Sequence, residues 1–147
     1  MKSGKEKILM KVGWRERVSL PELGLDAVIA KVDTGARTSC LHAFYVTPFV
    51  KNDEKWVRFG IHPHQDDSLT EVICEARIHD ERLISDSGGH KEMRYIISTT
   101  IILGAHTRPI ELSLTNRDTM RFRMLLGRTA MKNIIVYPKK SFLLKQK

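Results

Sequence analysis

The chain has 147 residues, 41% of them hydrophobic and 29% charged, and a formal net charge of +8. That length suits one domain with a real core and leaves no room for two full lobes, so a cleft of the two-lobed kind needs a second copy. The composition excludes a disordered chain, and no run approaches the roughly 18 apolar residues of a membrane-spanning helix.

The N-terminus, MKSGKEKILMKVGW, places basic residues around a short apolar run at Ile8–Met10, too short for the core of a signal peptide. Gly24 breaks the next stretch, after which the apolar run from Ala27 to Val32 ends in Asp33-Thr34-Gly35-Ala36. Two readings are open there. Asp and Gly form turns readily, or Asp33 is a catalytic carboxylate on a loop kept small so that substrate and a second carboxylate can approach.

Period two dominates from there on, the signature of half-buried strands. In EVICEARIH, Val72, Cys74, Ala76 and Ile78 alternate with mostly polar positions; in IELSLT, Ile110, Leu112 and Leu114 alternate with Glu111, Ser113 and Thr115; in MRFRMLLG, Met120, Phe122 and Met124 alternate with Arg121 and Arg123. Turn residues punctuate these runs at Gly35, Ser85 to Gly89, Gly104 and Asn116 to Asp118. SDSGGH reads as a hairpin tip between Ile78–Ile84 and Met93–Ile97, and GRTAMKN, Gly127 to Asn133, as one helical turn. The expectation is an all-β closed barrel in a single domain, residues 1–147, with its core at about 11–137, basic ends that fray, and one short helix near the C-terminus.

Two cysteines, Cys40 and Cys74, lack CxxC spacing and form no disulfide framework, so both are expected reduced and buried in a cytoplasmic protein. The charge is uneven: Asp53 to Glu75 is acid-rich, whereas Arg128 to Lys147 holds six basic residues and no acidic one. Such a bias points to a solvated basic tail, an acidic substrate or nucleic acid. The aromatic residues are few and scattered along the sequence, which argues against a stacking platform and so against specific nucleic-acid binding.

VDTGA together with MLLGRTAM resembles the two signature elements of retropepsin-like aspartic peptidases. The likeness extends through VGWRERVSLPELG, AKVDTGARTS, RYIIST and IELSLTNRDTMRFRMLLGR, and is closest to the small bacterial and archaeal retropepsin-like family often labelled ATP-dependent zinc proteases. The resemblance implies a retropepsin-like barrel, the acid-protease half, in which one Asp33 from each of two copies forms the catalytic dyad. A two-fold axis brings identical loops face to face, and the two carboxylates share a proton because both cannot ionise at close range.

On that resemblance Thr34 holds the paired loops across the axis, Gly35 allows close approach and any positive φ, and Ala36 leaves room for substrate backbone. Leu126, Gly127 and Arg128 support the loop from behind. Ser87, Gly88 and Gly89 form the tip of a flap over substrate, and Arg37 and Arg94, with Arg82, line a cleft able to bind carboxylates bidentately. The same family stands beside ATP-grasp ligases that append glutamates to proteins, which implies an acidic, glutamate-rich tail as substrate.

No metal ligand set is expected: HExxH is absent, and HPHQDD, His62 to Asp67, lacks regular spacing. No phosphate-binding glycine motif supports ATP dependence, and SDSGG lacks the partners of a serine nucleophile. The reading that follows is a homodimeric aspartic peptidase with no cofactor and no membrane attachment. The alternative is a non-catalytic retropepsin-like module that binds acidic peptides or a regulatory partner.

Overall fold

The computed structural model describes residues 10–85, 88–116 and 121–144. The strands are β1 (Met10–Val12), β2 (Arg15–Leu20), β3 (Leu25–Val32), β4 (Ser39–Ala43), β5 (Tyr45–Lys51), β6 (Glu54–Ile61), β7 (Val72–Arg77), β8 (Asp80–Ser85), β9 (Lys91–Leu103), β10 (His106–Asn116), β11 (Met124–Leu126) and β12 (Ile134–Val136). Among the described residues the only helical segments are two 3-10 turns, Pro21–Leu23 and Arg128–Ala130. The second is the helical turn expected after Gly127.

One sheet runs β10-β4-β11-β3-β2-β9-β8, and β10 also pairs with β9, so the strands from β10 round to β9 close into a ring and β8 hangs from β9 as one arm of a hairpin. The all-β barrel expected from the alternation is therefore present. β2 and β3 form an antiparallel pair in which Arg15 faces Lys31 across the register. The turn between them begins with Pro21 and ends at Gly24, whose φ of 73° is left-handed and suits glycine.

Leu25, Val28 and Ala30 of β3 are buried; the register shift between Val18 and Leu20 of β2 adds a residue to β3 there and lets Leu25 and Val28, three apart, both face the core. All five residues of β4 are buried, because that strand lies between β10 and β11 with covered faces. β5, β6 and β7 form a separate antiparallel sheet whose Val57, Phe59, Ile61 and Cys74 share the core of the ring. Each fully buried side chain such as Phe59, Leu41 or Ile101 stabilises the fold by about 1.5–3 kcal/mol.

Two stretches depart from simple alternation. Ser113 and Thr115 are buried instead of facing water, because β10 is an inner strand; Ser113 Oγ donates to the Ser39 carbonyl at 3.2 Å and Thr115 Oγ1 to Glu92 at 3.2 Å. The expected strand MRFRMLLG is shortened to Met124–Leu126. Phe122 and Arg123 precede it in a bend and are both buried, since His42 N donates to the Arg123 carbonyl at 2.8 Å and draws the bend inward. Met120 and the turn at Arg117 and Asp118 lie outside the described residues.

β11 is the strand that positions the cleft. It runs parallel to β3 and antiparallel to β4, threading between them. At its end a Cβ on Gly127 would meet the Thr38 carbonyl carbon at 2.7 Å and Ser39 N at 2.9 Å, both backbone atoms. Glycine is required there by packing.

Gly127→Ala is expected to lower stability by about 1–3 kcal/mol, since backbone on both sides cannot give way, and Tm by roughly 2–4 °C per kcal/mol. Gly89→Ala is the comparison: its φ is 84° but nothing lies within 4 Å of an added Cβ, so only the backbone cost applies. Thermal unfolding of both variants checks this: an unchanged Tm in Gly127→Ala would contradict the packing account, whatever Gly89→Ala loses to its backbone.

Candidate active site

β3 ends at Val32, and the next residue, Asp33, sits where the ring opens. Its backbone N–H donates to the Leu126 carbonyl at 2.9 Å, which continues the β3–β11 pairing one step beyond the strand. The loop then folds back: Ala36 N donates to the Asp33 carbonyl at 3.2 Å, and Gly35 N to Asp33 Oδ1 at 3.0 Å. The last bond is an Asx-type turn, so the turn reading of the sequence and the carboxylate reading are both realised in one loop.

Gly35 does not adopt a positive φ. Of the two reasons expected for glycine there, close approach and positive φ, the loop uses the first: an added Cβ would stand 3.2 Å from Asp33 Oδ1.

The far side of the loop is stitched to the segment after β11. Arg128 N donates to the Ala36 carbonyl at 2.8 Å and Thr129 N to the Arg37 carbonyl at 3.0 Å. Arg128 Nη1 donates to the Thr34 carbonyl at 3.0 Å, and Gly127 N to Ser39 Oγ at 2.9 Å. Leu126, Gly127 and Arg128 therefore stand behind the Asp33 loop.

In front of the loop opens a cleft of about 1060 Å³. Asp33, Gly35, Ala36, Arg37, Arg94, Arg128 and Gly88 all line it, as do Leu83, Ile84 and Ser85 of the β8 arm. Thr34 is exposed on the loop but is not among the residues lining this space. Gly89 lies in the hairpin tip with its side open, and Ser87 lies outside the described residues. β8 and β9 pair in the register Asp80↔Ile96 to Ser85↔Lys91, which brings Arg82 opposite Arg94.

The arginines of the cleft are not equivalent. Arg82 grips Glu111 through two parallel bonds, Nη1 to Oε1 at 2.6 Å and Nη2 to Oε2 at 2.9 Å, and its Nε donates to Asp80 at 2.7 Å. His79 Nε2 lies 3.2 Å from the same Glu111, an ion pair when its ring is protonated. The Arg82 hydrogen bond holds the Glu111 carboxyl below its usual range, and also that of Asp80 with help from the Glu81 backbone N–H; the two carboxylates raise Arg82 above its own. Arg94 Nε donates to Glu92 at 2.7 Å, and its Nη1 lies 3.6 Å from Cys40 Sγ.

Arg82 and Arg94 are thus already engaged by carboxylates of this chain. That corrects the expectation of a cleft lined with arginines waiting for an acidic ligand. Arg37 is exposed on the cleft wall, and its backbone carbonyl is occupied by Thr129 N. Glu111 and Glu92 escaped sequence reasoning because period two marked them only as polar positions; which cation each meets is decided by pairing between distant strands.

HPHQDD does not converge on an ion site. His62 stacks on Phe44 with ring centroids 4.3 Å apart and lies 3.5 Å from Glu71, while Asp67 accepts from Leu69 N and from Thr70. Among the described residues no three His, Cys, Asp or Glu side chains stand together as ligands. Cys74 is buried, donates to the Leu23 carbonyl and has its thiol pushed up to about 12 by burial. Among the described residues, no helix is long and apolar enough to cross a membrane.

Comparison with known proteins agrees with this geometry. A probable alpha-L-glutamate ligase of Shewanella halifaxensis is 46% identical over 136 residues, covering 92% of this chain and 30% of that protein. One of the same description from Parasynechococcus marenigrum is 47% identical over 120 residues, covering 82% and 26% respectively. The chain spans less than a third of the length of these relatives. The crystal structure of a Legionella pneumophila protein of unknown function superposes with a TM-score of 0.76 at 28% identity, covering 92% of this chain and 98% of that one. Residues 11–147 match the family described as RimB-like, retropepsin-like aspartic endopeptidase RimB. The chain, with its Asp33 loop backed by Gly127 and faced by a hairpin, belongs to this RimB-like family of retropepsin-like proteins.

Proposed function

We propose that the protein is an aspartic peptidase that works as a homodimer, each copy supplying one Asp33. The observation that carries the reading is the placement of Asp33, half-buried on a loop stitched to Gly127–Thr129 and open to a cleft roofed by the β8–β9 hairpin. A rigid loop and an accessible carboxylate are what a shared-proton dyad requires. The ionised Asp33 takes a proton from water as its oxygen attacks the scissile carbonyl carbon, and the protonated Asp33 donates to the carbonyl oxygen. Collapse of the tetrahedral adduct then breaks the C–N bond as the leaving nitrogen is protonated.

The substrate we propose is an acidic, glutamate-rich protein tail. Arg37 offers a guanidinium on the cleft wall beside the catalytic loop, and the similar proteins that contain such a domain are described as glutamate ligases, enzymes of the opposite chemistry. A functional link to an ATP-grasp glutamate ligase follows from the same likeness. The hairpin closes the cleft from above, its root held by Arg82 on Glu111.

Two outcomes are expected. Asp33→Asn keeps its fold and lowers cleavage of an oligo-glutamate-tailed peptide, followed by mass spectrometry between about pH 4 and 8, by at least about 10²–10⁴-fold. Undiminished cleavage by that variant, or loss of wild-type cleavage with chelator, contradicts the reading, and a strictly monomeric wild type favours a non-catalytic binding module. The second outcome concerns pH. Asp80 and Glu111 have carboxyls depressed on folding, so their contribution is present above the unfolded values of about 4 and fades as pH falls through the folded ones. Amide-exchange protection of residues 80–85 and 91–96, corrected for intrinsic rate, should hold at pH 6 and drop near pH 3; Arg82→Gln should lower it at pH 6 already.

A further inference from the structure

Outside the residues that line the cleft, one face of the molecule gathers cations and aromatic rings from segments far apart in the chain. The Arg15 guanidinium lies 4.7 Å from the Trp14 ring and 4.9 Å from that of Phe142, and Arg17 lies 5.1 Å from Phe142. Trp14 packs edge-on against Phe122 at 5.7 Å, and Arg121 sits 5.8 Å over Phe122. Lys11 stands over Tyr137 at 5.7 Å. Backbone bonds tie these segments together: Trp14 N to the Lys140 carbonyl at 2.8 Å, Tyr137 N to the Val12 carbonyl at 2.8 Å, and Phe142 N to the Arg15 carbonyl at 3.1 Å.

Two features make this face a built one. The ion pairs found among the described residues lie elsewhere, on the β5–β7 sheet, beside it at His62 and Glu71, and around the hairpin. The one acid inside this stretch, Glu16, is fully buried and takes the N–H groups of Gly13, Leu143 and Leu144 at 2.7, 2.8 and 3.1 Å. It therefore anchors the C-terminal segment without offsetting the positive surface. Phe142, gripped between that anchor and Arg15, has a φ of 55° and remains 38% exposed. A bulky residue rarely adopts this backbone, and the anchor holds its ring at the surface among arginines.

Arg15 Nε donates to Ser141 Oγ at 3.3 Å, which leaves its terminal N–H groups, and the guanidinium of exposed Arg17, as donors for phosphate. Phe142 and Tyr137 are the exposed rings, Trp14 is half-buried and Phe122 is buried; exposed rings beside cations match a polymer that alternates phosphate with flat bases. An acidic polypeptide would satisfy the cations and leave the rings unmatched. The scattering of aromatics along the sequence concealed this arrangement, because the interleaving is made by β2, β12 and the segment after it in space. We propose that this face binds single-stranded nucleic acid, through its phosphates and stacked bases and without reading sequence, independently of the Asp33 cleft.

The test is fluorescence anisotropy of the whole chain with a labelled oligouridylate of about 20 nucleotides, well beyond the site size of a small domain, at several salt concentrations. Arg15→Gln with Arg17→Gln should weaken binding and reduce the slope of log affinity against log salt by roughly 1.4, about 0.7 for each phosphate no longer neutralised. Phe142→Ala and Phe142→Leu should each raise Kd at least about fivefold at unchanged slope, since stacking is not ionic. Arg77→Gln, whose guanidinium pairs with Glu54 and lies on no ring among the described residues, should bind like wild type. The proposal is overturned if the Arg15/Arg17 variant, with native Tm, binds as wild type does, or if Phe142→Leu keeps full affinity. It is also overturned if these variants lose binding of an oligo-glutamate peptide and keep binding of the RNA.

Discussion

The passage of β11 between β3 and β4 is the constraint on which the candidate site depends. Three backbones meet at Gly127, where only a hydrogen atom fits against Thr38 and Ser39. That closeness lets Asp33 N reach Leu126 on one side and Arg128 N and Thr129 N reach Ala36 and Arg37 on the other. The loop bearing Asp33 is thereby held along both edges by main-chain bonds, which do not depend on side-chain rotamers. Such a mount is what the proposed pairing of two Asp33 loops would need, since reacting groups tolerate little misplacement.

Charge is handled differently on the two sides of the molecule. Around the cleft, cations are matched by carboxylates of this chain: Arg82 by Glu111 and Asp80, Arg94 by Glu92. These pairs are partly solvated and contribute modestly to stability, but they set the position of the hairpin. On the β2 face Arg15, Arg17 and Arg121 rest on rings, and Glu16, between the first two in sequence, is turned into the interior. A cation on an aromatic face is held in place while keeping its full charge. Cations also rest on rings on the β5–β7 sheet, Lys51 on Trp56 and Arg58 on Phe49, but there Arg58 is in addition paired with Glu75.

The barrel was legible because alternation is a local property: Val72, Cys74 and Ile110, Leu112 point inward as their period predicts. DTGA and LLGR were legible as a pair for a different reason, a resemblance that carries their spatial relation with it. Alternation failed where strands are covered on both sides, as at Ser113 and Thr115, and where a short bend replaces a strand, as at Phe122 and Arg123. Partners of charged residues were illegible altogether. Nothing local says that Arg82 will find Glu111, 29 positions away, or that Arg15 will find Phe142.

Two carboxylates of this chain, Glu16 and Asp33, differ in how fully their oxygens are taken up by hydrogen bonds. Glu16 has no exposure and accepts three main-chain N–H groups, so its lone pairs are largely used and its work is to fasten the C-terminal segment. Asp33 is half-buried and receives one such bond, from Gly35, on Oδ1 alone. A carboxylate has room for about four donors. The capacity left on Asp33 faces the cleft, where water, a substrate carbonyl or a second Asp33 can take it up. The bond from Gly35 orients the group through Oδ1, and on the proposed reading Oδ2 is the oxygen left for chemistry; Glu22 also accepts a single bond on one oxygen, from Thr99, so what sets Asp33 apart is its place on the cleft wall.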